Sequence, residues 1–427
     1  MQRKDRAPRL SDRGVPARKR TYLAVAPNGS IALPPDLAKR SGILPGTPLC
    51  IEELDRQILL HRPITHLDRV YIEPTNDCFF ACKTCMRHSW NEQLGRMDMA
   101  VFERVIDGLK EFSPVPSVLF GGYGEPLSHP DILDMVQRVK ASGAEVELIT
   151  NGSALDEDKI QRLVELGLDT IWVSLDGATP ECYSEVRQAP ALPGIVRNLR
   201  LLKSVKYEMD TQKPVLGIAF VAMKKNLSEL AEVISLGLRL GALKFSASNV
   251  EPHTEQLRGE ILYEKILGQN MGSFSLMDLP RMDGGGEWDH DVATMLSDCG
   301  FHFANGRAST RSEDTCPFVE KGSVSVRWDG QVSPCLPLLH THDAFLGSRK
   351  RKVREFGLAS IKERRLREIW EDPSHVALRS RLQKFEYPPC TLCNSCDLID
   401  SNQEDCFGNV PPVCGGCLWA QGFVLCP

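Results

Sequence analysis

The chain has 427 residues, of which 42% are hydrophobic and 25% are charged, and its formal net charge is −5. These values are typical of a folded protein with roughly two to three domains, and the slightly acidic balance argues against a surface built for nucleic acid. No apolar run is long enough to cross a membrane and no secretory h-region is found, so the sequence predicts a cytoplasmic protein without a membrane partner. Fifteen cysteines in such a chain predict metal ligands and not disulfides.

The amino-terminal part of the chain divides into a basic segment and a small module. Residues 1–20 carry eight Lys and Arg and predict a disordered tail, which leaves contact with an anionic partner open. Residues 21–63 alternate short β-rich runs with NG and PG turn signals, and a small helix is expected near Pro35. The pattern GSIALPPDL…GILPGTPL resembles the AbrB/MazE/SpoVT swapped-hairpin family. The resemblance implies a β module that forms a homodimer; protein docking and DNA binding are the alternatives.

The next part of the chain alternates strands with helices. Amphipathic stretches at 100–112, 156–167 and 227–241 predict helices between short β-rich runs. This alternation predicts an α/β fold with a parallel sheet and right-handed crossovers. The predicted strands are 70–73, 118–120, 145–150, 170–175, 215–222 and 243–247.

Three cysteines follow the first predicted strand with the spacing C-x3-C-x2-C: Cys78, Cys82 and Cys85. Three thiolates leave one iron of a 4Fe–4S cluster without a protein ligand, whereas four close the cluster. A zinc knuckle and a chance grouping are the alternatives. The motif resembles that of the radical SAM family, where SAM is S-adenosylmethionine. The resemblance implies a partial (β/α)6 barrel over residues 68–253, with its active site at the carboxyl ends of the strands.

The motif GGYGEP at 121–126 follows the second predicted strand. Its glycines permit close backbone approach to a ligand, although a glycine cluster alone is often only a turn. The resemblance implies contact with the amino group of SAM, with an inserted tyrosine as a departure from the family pattern. The residues to which it carries over are Gly121, Gly122, Gly124 and Glu125.

Polar residues at the ends of later strands are further candidates for SAM binding. The resemblance implies that they hold the ribose and the carboxylate of SAM, and helix caps or turns are the alternative. The candidates are Ser174, Asp176 and Asn249, with Arg187 as a carboxylate partner. The implied reaction is reductive cleavage of SAM to methionine and a 5′-deoxyadenosyl radical, with an electron from a low-potential donor. No catalytic side chain beyond these is predicted.

The carboxyl-terminal part is rich in cysteine. Residues 254–315 look like a connecting insertion, GSVSVRWDGQVSPC predicts two strands around a DG turn, and residues 366–383 predict a helix. Residues 316–427 resemble the SPASM domain, which implies two auxiliary 4Fe–4S clusters, although the later cysteine spacings are longer than usual. Structural zinc is the alternative. The nine candidate ligands are Cys316, Cys335, Cys390, Cys393, Cys396, Cys406, Cys414, Cys417 and Cys426.

Eight thiolates would serve two closed clusters, so one of the nine is in excess. The family's interleaved pattern implies Cys316 and Cys335 in one cluster, and Cys393 and Cys396 in the other. Outside these groups, Cys50, Cys182 and Cys299 are interpreted as structural thiols.

The last segment, EDCFGNVPPVCGGCLWAQGFVLCP, narrows the family further. Together with YIEPTNDC and FGGYGEP, it resembles the radical SAM/SPASM maturases paired with tungsten-containing aldehyde oxidoreductases, over most of residues 68–427. The resemblance implies a maturase that acts on a tungsten-containing oxidoreductase or on its pterin cofactor. A peptide maturase that crosslinks a ribosomal peptide is the alternative within enzymes, and an iron–sulfur DNA-binding regulator is the alternative outside them.

Overall fold

The computed structural model describes residues 23–54, 57–264, 273–274, 308–309, 316–391, 393 and 396–426. The predicted basic tail and most of the predicted insertion, with Cys299, lie outside the described residues. Within the described part of the chain, no helix combines the length and the apolarity that crossing a membrane requires.

The amino-terminal module is small and open. Helix α1 (Pro35–Arg40) begins where it was predicted, with prolines at its start, and strands β1 (Ile51–Leu54) and β2 (Gln57–Leu60) form an antiparallel hairpin. No residue from 23 to 62 whose burial is described is buried. The resemblance to the swapped-hairpin family stays a prediction.

Six parallel strands in sequence order, β3 to β8, form the centre of the molecule, and helices connect them. The predicted strands are confirmed to within two residues at either end. Local sequence explains where helix α2 (Met99–Leu109) begins. Asp98 caps its amino terminus by accepting a hydrogen bond from the Ala100 amide. The elements are β3 (Arg69–Ile72), α2 (Met99–Leu109), β4 (Ser117–Phe120), α3 (Ile132–Ala141), β5 (Val146–Thr150), α4 (Glu157–Glu165), β6 (Thr170–Ser174), α5 (Pro180–Arg187), α6 (Leu192–Glu208), β7 (Val215–Ala222), α7 (Leu230–Leu240), β8 (Ala242–Asn249), α8 (Glu255–Arg258) and a short antiparallel pair of strands, β9 (Ser273–Phe274) and β10 (Ala308–Ser309).

The two faces of this sheet bury different sets of side chains. Val70 and Ile72 of β3 belong to the main core between the sheet and its helices, whereas Tyr71 points to the opposite face. There it packs with Leu119 of β4 and with Phe318 from the carboxyl-terminal part. The alternation follows from the two-residue period of a strand, and it makes the inner face of the barrel a contact surface for the cysteine-rich domain.

The carboxyl-terminal part continues the same sheet. Strand β11 (Ser323–Val326) pairs in parallel with β3, with Val324 opposite Val70. Together with β12 (Gln331–Ser333) and β15 (Ala359–Ser360) it extends the sheet to nine strands in the order β15-β12-β11-β3-β4-β5-β6-β7-β8. The predicted DG hairpin is confirmed as β11 and β12. The elements of this part are α9 (Pro317–Glu320), β11 (Ser323–Val326), β12 (Gln331–Ser333), β13 (His342–Leu346), β14 (Arg349–Val353), β15 (Ala359–Ser360), α10 (Leu366–Trp370) and α11 (Pro373–Lys384).

The single helix predicted over 366–383 is wrong, because the structure divides it into α10 and α11. Pro373 has no amide hydrogen and disfavours helical geometry in the residue before it, which ends α10. Asp372 then caps the new helix by accepting a hydrogen bond from the Ser374 amide at 3.0 Å.

Candidate active site and cysteine cavities

The loop after β3 carries the first three predicted ligands at the carboxyl end of the barrel. Cys82 is buried, and Cys78 and Cys85 are partly exposed. The Arg87 guanidinium donates to the carbonyl oxygens of Cys78 and Phe80, at 2.9 and 3.2 Å, and so closes the loop on itself. Burial raises the pKa of the Cys78 thiol to about 11, which means that thiolates here need nearby positive charge. Three thiols on one closed loop fit a cluster that has one open iron.

A buried ion pair lies beside this loop. Arg187, at the end of α5, places its Nε 2.7 Å from Asp176 Oδ2, and Asp176 also accepts from the Val221 amide at 2.8 Å. The Nη1 atom of Arg187 lies 3.9 Å from the sulfur of Cys82. The structure therefore brings three predicted site residues together, with Asp176 already engaged by protein groups. Their contact with SAM stays a prediction.

Glu125 of the glycine motif ties two strand ends together. Its carboxylate accepts from the amides of Leu127 and Asn151, at 3.0 and 2.8 Å, and from the Thr150 hydroxyl at 2.7 Å. Burial raises the pKa of this carboxyl group, and the three donors oppose that rise. Within the structure Glu125 thus joins the end of β4 to the end of β5.

Two glycines of the motif are required by packing against the cysteine loop. A Cβ at Gly124 would collide with the carbonyl of Thr75. Gly122 has a φ of +95° and lies against the side chain of Glu73, so a larger residue would be strained and crowded there. These contacts place the motif directly over the loop that carries the cysteines.

Two unpartnered polar groups near this edge were not predicted. The side-chain Nδ2 of Asn151 and the Tyr183 hydroxyl are buried, and neither has a hydrogen-bond partner among the described residues. Buried polar groups are usually paired, so these two fit a site that holds a polar ligand. Asn151 directly follows β5, and this position was the available signal. The other predicted residues, Ser174 and Asn249, end β6 and β8 at the same edge of the sheet.

The cysteines of the tail surround two neighbouring cavities. One is lined by Cys316, Cys335, Cys414 and Cys417, and the other by Cys390, Cys393, Cys396 and Cys406. Four thiols around one cavity fit a closed 4Fe–4S cluster. Among the described residues, no three His, Cys, Asp or Glu side chains converge on a site for a single metal ion.

The ninth cysteine lines neither of these two cavities. Cys426 lines a separate small pocket with Tyr71, Phe318 and Trp419. The structure thus groups Cys316 with Cys335 and Cys393 with Cys396, in the pairs that the sequence implies. Which of these thiols bind iron stays a prediction.

Comparison with known proteins assigns the family. Residues 72–234 match the radical SAM superfamily, and residues 316–397 match SPASM, an iron–sulfur cluster-binding domain. The tungsten-containing aldehyde ferredoxin oxidoreductase cofactor-modifying protein of Pyrococcus furiosus is 30% identical over 363 residues, which cover 84% of this chain and 96% of that protein. The chain belongs to the radical SAM/SPASM family. It is therefore a radical SAM enzyme whose cofactors are 4Fe–4S clusters and SAM, as the sequence predicts.

Solved structures confirm the fold of this radical SAM/SPASM chain. Streptococcus suis SuiB bound to its precursor peptide SuiA superimposes with a TM-score of 0.51 at 14% identity, over 74% of this chain and 67% of that one. Native anSMEcpe with bound AdoMet gives a TM-score of 0.52 at 17% identity, over 76% and 86% of the two chains. These likenesses concern the fold alone.

A buried histidine between two carboxylates lies behind the glycine motif of the radical SAM/SPASM barrel. The ring nitrogens of His340 lie 2.9 Å from Glu73 and 2.6 Å from Glu92, and the side chains of His340 and Glu73 have no exposed surface. Glu73 also accepts from the amide of Tyr123, whose hydroxyl donates to the carbonyl of Leu336 at 3.4 Å. This chain of contacts connects the glycine motif to the residue after Cys335. Local sequence patterns could not predict this contact, because His340 is 267 positions from Glu73.

We expect the contribution of His340 to the stability of the folded protein to depend on pH. Burial opposes its charged form, but the hydrogen bonds and charges of Glu73 and Glu92 outweigh burial and raise its pKa. The stabilisation is thus complete below the unfolded pKa of about 6.5 and is lost as the pH rises through the higher folded pKa. We expect the stability difference between the wild type and His340→Gln to shrink as the pH rises from about 6.5, measured by thermal unfolding. His129→Gln is the control, since burial lowers the pKa of His129 and any pH effect lies below that range. A constant difference would contradict this expectation.

Proposed function

We propose that the chain is a maturase that modifies a tungsten-containing oxidoreductase or its pterin cofactor. The observation that carries the proposal is the 30% identity to the cofactor-modifying protein over 96% of that protein's length. The match extends through both the barrel and the cysteine-rich tail, so it exceeds what a shared barrel alone requires. The proposal includes a low-potential electron donor as partner and a location in the cytoplasm.

Different residues at the carboxyl end of the barrel would have different roles in the reaction. When bound, the cluster and SAM supply reductive cleavage to a 5′-deoxyadenosyl radical. Cys78, Cys82 and Cys85 would hold the cluster, and Arg187 offers positive charge beside Cys82. The unpartnered Nδ2 of Asn151 would bind a polar part of SAM. Phe318 packs with Tyr71 and Leu119 on the inner face of the barrel, and this cover would keep water from the reacting groups.

A maturation assay tests the proposal. The oxidoreductase is purified from cells that lack this protein and is incubated anaerobically with the reconstituted enzyme, SAM and dithionite. We expect formation of 5′-deoxyadenosine to rise when the oxidoreductase is added, together with a mass change in the oxidoreductase or its extracted pterin cofactor and a gain of aldehyde oxidation. A basal rate that the oxidoreductase leaves unchanged, with a mass change in a precursor peptide, would favour the peptide-maturase alternative.

We also propose that the tail binds two clusters through the eight thiols of the two cavities, and that Cys426 binds none. The whole chain should then hold about twelve irons, because each of three clusters contains four. Cys426→Ser should keep this iron content, whereas Cys414→Ser combined with Cys417→Ser should remove about one third of it. Iron and zinc are measured in anaerobically purified protein. Iron loss on Cys426→Ser, or stoichiometric zinc in the wild type, would contradict the assignment.

We further propose that residues 21–63 join two copies of the chain or dock it to its target. Large apolar side chains in this module are exposed, among them Val25, Ile51 and Ile58 at 63%, 64% and 71%. A two-stranded hairpin without a buried core is marginally stable alone, so a covering partner is expected.

Deletion of residues 1–63 should leave SAM cleavage intact and weaken self-association or association with the oxidoreductase, measured by light scattering and co-sedimentation. Deletion of residues 1–20 alone is the matched control. A truncated chain that stays dimeric and modifies its target at the native rate would rule out both roles. Salt-sensitive, sequence-selective retention of DNA by the full chain would instead support the regulator alternative.

A further inference from the structure

One arginine lies between the two cysteine cavities. Arg351 is the middle residue of β14, and only 7% of it is exposed. It lines the cavity of Cys316 and the cavity of Cys390, and Val413 and Gly416 also lie on both. Its guanidinium thus occupies the wall that separates the two sets of thiols.

The surrounding backbone fixes the guanidinium in this wall. Its Nη1 donates to the Gly416 carbonyl at 2.5 Å, and a Cβ at Gly416 would collide with the same group. A Cβ at Gly415 would collide with the Pro388 carbonyl and approach the Cys390 sulfur to 3.0 Å. The two glycines between Cys414 and Cys417 therefore allow the cavities to lie back to back with the arginine between them.

The positive charge has no carboxylate at ion-pair distance among the described residues. Within the described part of the chain, Arg351 forms no ion pair with Asp or Glu, and its Nε has no hydrogen-bond partner. Glu251 lines the Cys316 cavity together with Arg351 and is the carboxylate that acts on it most. Arg349, two residues earlier in β14, by contrast pairs with Asp397 and Asp400. A buried cation without an ion-pair partner is unfavourable, so Arg351 gains from further negative charge beside that of Glu251.

The cavities supply that charge when they hold clusters. Besides Glu251, the ionisable groups that act on Arg351 are Cys414 and Cys417 from one cavity and Cys390 from the other. A cluster bound by four thiolates is net negative, and its reduction adds one more negative charge. A fixed cation in this low-dielectric wall favours the reduced form on both sides.

We propose that Arg351 raises the reduction potentials of both auxiliary clusters and offsets the repulsion between them. Arg351 would act on the clusters through its positive charge and would not bind iron. The inference rests on the two clusters proposed above, whose presence is tested separately by iron content.

The test is an EPR-monitored redox titration of the full chain with Cys78, Cys82 and Cys85 replaced by alanine, so that only the tail clusters report. Arg351→Gln should shift both midpoint potentials to more negative values. A tenfold drop in the ratio of reduced to oxidised cluster corresponds to about 59 mV for one electron. Arg351→Lys keeps the charge, so its two midpoint potentials should differ from those of the wild type by less than about 59 mV. Lys352→Gln is the matched control on the same strand, because Lys352 is half-exposed and paired with Asp343.

Three results would overturn the proposal. The first is unchanged potentials in Arg351→Gln with full iron content. The second is an equal shift in Arg351→Lys, since the charge is kept there. The third is iron loss in both variants, which would assign the residue to cluster assembly. Iron loss in Arg351→Gln alone, with native potentials in Arg351→Lys, supports a role for the charge.

Discussion

Replacing Cys78, Cys82 and Cys85 together by alanine should abolish SAM cleavage and remove about one third of the iron, since one of three clusters is lost. The three thiols lie on a single loop that Arg87 closes, so the change removes the whole ligand set while the sheet behind it stays intact. Iron content, EPR spectra and formation of 5′-deoxyadenosine under dithionite measure the effect.

The control for this experiment is Cys182→Ala. Cys182 lies in α5 near the same edge but on no cysteine loop, and it should keep full iron content and native SAM cleavage. Residual cleavage in the triple variant, or loss of more than one cluster, would contradict the assignment of this loop as the SAM-binding centre.

Asp176→Asn should be among the most destabilising single substitutions in the barrel. It leaves the Arg187 guanidinium without its buried counter-charge, and breaking a buried pair costs about 3–5 kcal/mol in unfolding free energy. The pair joins the end of β6 to the end of α5, and Asp176 also holds the Val221 amide at the end of β7. Denaturant midpoints measured under anaerobic conditions report the loss.

A second substitution separates charge from geometry in this pair. Arg187→Met added to Asp176→Asn should recover part of the stability, because the unpaired charge is then removed. Glu165→Gln, which breaks an exposed pair with Arg162, serves as the control and should change stability little. A single variant as stable as the wild type would show that the pair contributes nothing to the barrel.

The repeated part of the fold could be predicted from local sequence, because each barrel strand is a short apolar run flanked by turns and amphipathic helices. The observed bounds of β7 coincide with the predicted ones. The cysteine loop was equally readable, since its three ligands lie within eight residues of one another. In both cases the information is local.

What could not be predicted depends on residues that are distant in sequence. The pairing of β11 with β3 joins residues about 250 positions apart, and no local pattern encodes it. His340 and Glu73 meet in the same way. The reason for Gly415 and Gly416 also needs the structure, because it lies in the packing of one cavity against the other. The division of the predicted helix at Pro373 differs from these cases. A proline that interrupts a helix is visible in the sequence itself, so this boundary could have been predicted.

The pairing of β11 with β3 has a consequence for any attempt to divide the chain. A shortened protein that ends after β8 would leave β3 as a bare sheet edge, with its amide and carbonyl groups free along four residues. Open edges of this kind recruit other strands and promote aggregation. The barrel and the tail are therefore expected to fold as one cooperative body, and the tail is expected to turn with the barrel and not to swing away from it when a large target approaches.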